Sequence, residues 1–395
     1  MFESHVVDFP NGFLWGAATA AHQIEGNNVH NDWWRAEEAG ILPHRSGAAC
    51  DSWNRWADDI RLLQDMGLNA YRFSVEWARI EPEPGHFDQT ALDTYRRMLE
   101  AMRSGGIEPL VTLHHFTNPA WLADRGGWSN LEVVPRFGQY ADRLARTLGD
   151  LVSWWVTINE PSILGLKGYV DGSWPPFRTR DPRGYLSLMR YTTRAHMLGR
   201  QALKASHPAA QVGVAFAVWP MQALRWWSPI DQLMARLGDW GWQGRVLNRT
   251  LRALDWIGVN YYSRTTVGWP RARTDVVSDS DVRTDFGWEI YPRGLYDVLL
   301  RVGRYGKPVV ITENGIADRD DDLRPGYIVA HLREAHRAIS AGVDLRGYMH
   351  WSLLDNFEWA EGFSQCFGLA TRDRMLRSSA QVYGTIARAN QVALS

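Results

Sequence analysis

Eight apolar runs of strand length, rich in β-branched and aromatic residues, recur along the chain with longer amphipathic stretches between them. Such alternation predicts an α/β protein whose parallel strands are covered by helices. The runs are FLWGAATA from Phe13, AYRFSVEW from Ala70, IEPLVTLHHF from Ile107, SWWVTINE from Ser153, QVGVAFAVW from Gln211, DWIGVNYY from Asp255, KPVVITENG from Lys307 and LRGYMHWSLLD from Leu345. Between the first two, SWNRWADDIRLLQDMG sets Trp53, Trp56, Ile60 and Leu63 at helical spacing, with Gly67 as the stop. ALDTYRRMLEAMRSGG, PRFGQYADRLARTLG and PGYIVAHLREAHRAISAG read in the same way. Eight strand-then-helix units in 395 residues fit a single (β/α)8 TIM barrel, which takes about 250 residues before loops are added. The surplus is expected in extended βα loops, the two largest from Pro161 to about Gly184 and from Ser263 to about Gly294. No interdomain linker, low-complexity tract or exact repeat interrupts the pattern, so residues 1–395 are read as one domain.

Composition narrows the partners. With 43 basic and 44 acidic side chains the formal charge is −1, which argues against nucleic acid, because phosphate binding leaves a basic excess. The two cysteines, Cys50 and Cys366, are too few for a disulfide framework and suit a reducing compartment. The amino terminus, MFESHVVDFPNGF, has neither a basic start nor an apolar run, and no uninterrupted apolar stretch reaches about 18 residues. A cytoplasmic protein with no membrane partner is expected, and its oligomeric state is not read from the sequence.

Strands inside a barrel should be apolar, so polar side chains gathered at their carboxyl ends need a reason, and in a TIM barrel that end carries the active site. Here the ends read Gln23 and Glu25, Arg72 and Glu76, His114 and His115, Asn159 and Glu160, Asn260 and Tyr262, Glu313 and Asn314, and finally Trp351, Asp355 and Glu358. Glu160 in VTINEP and Glu313 in VVITENG directly follow apolar strand residues. A carboxyl pair across a barrel mouth suits glycoside cleavage, one to protonate the leaving oxygen and the other to attack the anomeric carbon. The alternative is a pair of structural ion pairs at strand ends. His115 reads either as a sugar-hydroxyl contact or as a core histidine, and adjacent strand residues such as His114 and His115 face opposite ways and share no metal ion easily. No HExxH, CxxC, GxGxxG or GxxxxGK[ST] motif occurs, so neither a metal nor an organic cofactor is expected. The 21 tryptophans suit stacking on pyranose rings and equally suit a core.

In this setting FPNGFLWGAATAAHQIEG, YRFSVEWARIEPEPG, TLHHFTNP, TINEP, GVNYY, ITENG and WSLLDNFEWAEGF, in that order, resemble the motifs of glycoside hydrolase family 1, the retaining β-glycosidases. EGNNVHNDWW and HHFTNP are most similar to its archaeal and thermophilic branch. The resemblance implies that Glu160 is the acid/base and Glu313 the nucleophile, with Arg72, Asn260 and Tyr262 supporting the nucleophile. It implies that Gln23, His115, Asn159, Glu358, Trp359 and Phe367 line the site of the terminal sugar, over a Trp351 platform. A retaining mechanism implies carboxyl groups about 5 to 5.5 Å apart. Glu160 stands where thioglucosidases of the family lack a glutamate, and Glu358 where phospho-glycosidases usually carry serine, so an unphosphorylated O-glycoside is implied. The chain is shorter than most of the family, and FGLATRDRMLRSSAQVYGTIARANQ omits several residues of the usual connection to the last helix. Trp174 and Trp288 are then candidates for an outer, aglycone wall, or simply pack their loops.

The expected activity is exo-acting, retaining hydrolysis of a terminal β-D-glucosyl, galactosyl or fucosyl residue from a small glycoside or oligosaccharide by double displacement. Transfer of the same glycosyl group to an alcohol or sugar, and sugar binding without turnover, are the rival readings.

Overall fold

The computed structural model describes residues 6–239, 245–269, 272–273 and 282–394. All eight expected strands form: β1 (Leu14–Ala18), β2 (Ala70–Ser74), β3 (Glu108–His114), β4 (Trp154–Asn159), β5 (Gln211–Ala217), β6 (Trp256–Asn260), β7 (Val309–Asn314) and β8 (Leu345–Trp351). They close a parallel barrel in chain order, with β8 returning to β1 through pairs such as Trp351 with Ala18. A covering helix follows each strand, beside shorter helices in the loops: α1 (Ser52–Met66), α2 (Gln89–Ser104), α3 (Val133–Leu148), α4 (Pro182–Ser206), α5 (Arg245–Thr250), α6 (Pro292–Gly303), α7 (Arg324–Ser340) and α8 (Ser378–Ala389).

The two-residue strand period sorts the apolar runs. Ala18, Ala70, Leu110, Val156, Ala215, Trp256, Val310 and Met349 fill the barrel. Their neighbours Tyr71, Val111, Trp155, Val214, Ile257, Val309 and Tyr348 join the helices in a second, larger core. Both faces of every strand are therefore buried, which is why the runs show no polar alternation.

The predicted stop of α1 holds. Gly67 takes the left-handed conformation (φ 72°) and its N–H donates to the Gln64 carbonyl. A Cβ there would lie 2.5 Å from Arg388 Cγ, on a side chain that itself donates to the Met66 carbonyl at 2.8 Å. Gly67→Ala is expected to lower stability by about 1–2 kcal/mol through its backbone conformation alone, read as a lower urea midpoint at unchanged slope.

The loops depart from expectation. The connection from Thr19 to α1 exceeds both of the loops singled out from sequence, and a second, from Val218 to α5, exceeds the first of those loops. The second carries a short strand, Met221–Ala223, and a helix, Pro229–Asp239. That strand is only three residues long and pairs with Thr265–Val267, distant in sequence, so no local periodicity marks it. In the Ser263–Gly294 loop, residues 270–271 and 274–281 lie outside the described residues.

Candidate active site

The polar centre is built on Arg72, fully buried in β2. Its Nη1 donates to Glu313 Oε1 at 2.5 Å and to the Thr312 carbonyl at 3.1 Å, its Nη2 to Asn159 Oδ1 at 2.7 Å, and its Nε to Thr112 Oγ1 at 3.3 Å. One guanidinium thus ties β2, β3, β4 and β7 together. Period two would turn Glu313 away from the barrel, because Val310 fills the interior. The register shifts between Ile311 and Glu313 in β7, and again between Val156 and Asn159 in β4. Such irregularities re-aim side chains beside functional sites. Arg72→Met, which leaves Glu313 without its cation, is expected to cost about 3–5 kcal/mol. Adding Glu313→Leu should recover part of that loss in urea unfolding.

Glu313 Oε2 accepts from the Tyr262 hydroxyl at 2.6 Å. Burial and the Glu313 charge push that hydroxyl well above its usual range, so Tyr262 stays a donor. Glu160 follows β4 in the left-handed conformation (φ 43°), with Pro161 opening the next helix. Its Oε1 accepts from Asn260 Nδ2 at 2.7 Å, and Asn260 Oδ1 in turn accepts from Thr312 Oγ1 at 2.6 Å. Burial first, and the nearby Glu313 charge second, push the Glu160 carboxyl up to about 8, against the Asn260 hydrogen bond. The two glutamates differ in kind: Glu313 is paired with a cation and a hydroxyl, and Glu160 with one amide. A protonated carboxyl facing a clamped carboxylate can give a proton to one atom while the other attacks or stabilises its neighbour.

A cavity of about 510 Å³ opens above them. His115, Glu160, Asn260, Tyr262, Glu313, Trp351, Glu358, Trp359 and Phe367 line it, as do Trp174 and Trp288. Gln23, Arg72 and Asn159 lie behind that lining. His115 stacks with Trp351 and Trp359 at ring-centre distances of 6.0 and 5.9 Å, and its Nε2 faces Asn159 Nδ2 at 3.2 Å. Burial, then Arg72, holds this imidazole well below its ordinary range, so it is neutral. The amide must donate to Nε2, which puts the ring hydrogen on Nδ1, and Nδ1 is buried without a partner among the described residues. Gln23 Nε2 donates to Glu358 Oε2 at 3.1 Å, while its Oε1 is likewise buried and unpartnered. Glu358 is pushed up to about 8 by burial and then by Glu313.

Other polar strand-end residues do not join the mouth. Glu25 accepts from Tyr95 and Arg79, Glu76 from Thr117, and His114 meets Asn118 and Trp128. Asn314 donates to Tyr327 and the Tyr261 carbonyl, and Asp355 accepts from Arg377. These are structural networks, and His114 and His115 do point to different surroundings. Trp174 lines the cavity and packs on Phe116, Trp33 and Trp359. Trp288 packs on Phe286 at 4.3 Å. Phe286, Trp219 and the Arg264–Glu289 ion pair (2.7 Å) also line the cavity and were not singled out from sequence. The DFGW tetrapeptide marks Phe286, but the ion pair joins residues 25 positions apart with no local signal. Among the described residues no group of three or more His, Cys, Asp or Glu could hold a metal ion.

Comparison with known proteins bears on the whole architecture. The model of glycosyl hydrolase family 1 matches residues 5–236 and 245–392. The chain is 33% identical to β-glucosidase A of Thermotoga maritima, over 98% of this chain and 99% of that protein. It is 33% identical to a β-galactosidase of Sulfolobus acidocaldarius, over 98% and 96%. A β-glycosidase from Pyrococcus horikoshii superposes with a TM-score of 0.93 at 37% identity, covering 98% of this chain and 96% of that one. The Thermotoga maritima β-glucosidase in complex with glucoimidazole does so with a TM-score of 0.89 at 32% identity, over 97% and 99%. The expected resemblance to thermophilic and archaeal members therefore holds, and with the closed barrel beneath it this chain is a glycoside hydrolase belonging to glycosyl hydrolase family 1.

Proposed function

We propose that this chain is an exo-acting, retaining β-glycosidase that removes a terminal β-linked hexose, glucose or galactose first, from small glycosides. The observation that carries the reading is the contrast between the two buried glutamates. Glu313, held by Arg72 and Tyr262, attacks the anomeric carbon, while the bond to the leaving oxygen breaks and Glu160 gives that oxygen its proton. Water then loses a proton to Glu160 as its oxygen displaces Glu313, which restores both groups. The unpartnered Nδ1 of His115 and Oε1 of Gln23, with Asn159, Glu358 and Trp359, supply hydrogen-bonding groups for sugar hydroxyls. Trp351 and Phe367 give the ring apolar surfaces, and Trp174 and Trp288 receive the leaving group. The β-glucosidase and β-galactosidase relatives support this choice of sugars. The two cysteines, too few for a disulfide framework, support action in the cytoplasm, and the single closed barrel supports reading residues 1–395 as one catalytic unit.

The test is nitrophenol release from aryl β-glucoside, galactoside, fucoside, mannoside and xyloside. Faster release from glucoside or galactoside than from the others supports the reading. Ligand binding without release from any of them overturns it, and appearance of alkyl glycosides when an alcohol is added reports the transfer reaction instead.

A further inference from the structure

One corner of the barrel mouth gathers large apolar side chains that are more than half exposed. Trp226, Trp227, Ile230, Leu233, Leu237 and Trp269 are each between 54% and 81% exposed. Ile230, Leu233 and Leu237 recur at i, i+3 and i+7 on the helix Pro229–Asp239, whose opposite side buries Asp231 and Ala235. The corner is firmly built. The Asp231 side chain is fully buried and accepts from Arg225 Nε at 2.8 Å, Arg225 Nη2 at 2.9 Å and the Trp269 backbone N–H at 3.1 Å. Arg225 also donates to the Trp269 carbonyl at 2.8 Å, and Gln232 Nε2 donates to the Trp226 carbonyl at 2.5 Å. Both tryptophan segments are therefore fixed to the helix before anything covers them, which lowers the ordering cost of association.

We propose that this corner is the contact face of a symmetric dimer, covered by a second copy of the chain. The first argument is area. Taking 150–250 Å² for a large aromatic side chain and less for the aliphatic ones, the six expose on the order of 700 Å². That exceeds the roughly 300–600 Å² of the largest apolar patch on a monomer, and approaches the roughly 800 Å² that each partner contributes to a stable interface. The second is composition, because Trp and Arg are the residues that anchor protein interfaces. The third is self-complementarity. A two-fold axis crossing the helix between Leu233 and Met234 sets Ile230 against Leu237 of the second copy, and Leu233 against Met234. The helix stripe itself carries no charge, since Arg236 lies off it and Asp231 is buried. The face lies beside the cavity, since Thr265, which opens one of the two paired strands that lead to it, and Trp219, two residues before the other, line that cavity.

Light scattering during gel filtration at tens of micromolar tests the proposal. The wild-type chain should elute at twice its 45.1 kDa mass, and Leu233→Asp at the single mass with unchanged glycosidase activity. Ile230→Cys with Leu237→Cys should give a covalent dimer on oxidation, because both native cysteines are buried. A monomeric wild-type chain overturns the proposal, and doubly so if that monomer sediments with phosphatidylglycerol vesicles. A dimer that survives Leu233→Asp overturns it as well.

Discussion

Glu313→Ala is expected to abolish turnover of every glycoside, by about 100,000-fold in kcat, while leaving the barrel folded. Losses of that order follow removal of a covalent nucleophile. The substitution also leaves Arg72 and the Tyr262 hydroxyl, which now donate at 2.5 and 2.6 Å, without an acceptor. Far-ultraviolet circular dichroism should match wild type, and release of nitrophenol from an aryl β-glucoside should fall to background. Retained turnover would remove Glu313 from the mechanism.

The second large effect concerns Glu160 and depends on the leaving group. Glu160→Gln should slow cleavage of an alkyl β-glucoside by about 100- to 10,000-fold, the usual worth of a positioned acid. A dinitrophenyl glucoside needs no protonation to depart, so its glycosylation step should change far less and dinitrophenol should appear in a burst. The wild-type pH profile carries the same information. Because burial and the Glu313 charge hold the Glu160 carboxyl up to about 8, its proton is present at neutral pH and lost above that value. Wild-type kcat/KM should therefore fall as pH rises through about 8, and that alkaline limb should vanish in Glu160→Gln. An alkaline limb unchanged by the substitution would assign it to another group.

The barrel was legible because burial on both strand faces writes near-continuous apolar runs, and helices write a 3.6-residue period between them. Legibility failed where structure depends on partners distant in sequence. Met221–Ala223 is ordered by Thr265–Val267, and Arg264 by Glu289. The convergence of Arg72, Asn159, Asn260, Tyr262 and Glu313 was anticipated from their places at strand ends. The turning inward of Asn159 and Glu313 was not, since it depends on register shifts that leave no local mark in VVITEN or WWVTIN. Polarity at a strand end was also an incomplete guide, because Glu25, Glu76, His114, Asn314 and Asp355 carry it into structural networks. What separates the two groups is the side of the strand and the partner across it, neither of which is a property of composition.

The most direct measurement is covalent trapping with 2,4-dinitrophenyl 2-deoxy-2-fluoro-β-glucoside. Its fluorine slows both displacements, while its leaving group keeps the first one faster than the second, so a glycosyl-enzyme accumulates. Mass spectrometry of the digested adduct should place one fluoroglucosyl group on the peptide bearing Glu313, in wild type and in Glu160→Gln. An adduct on Glu160, or turnover with no adduct at all, would contradict the account.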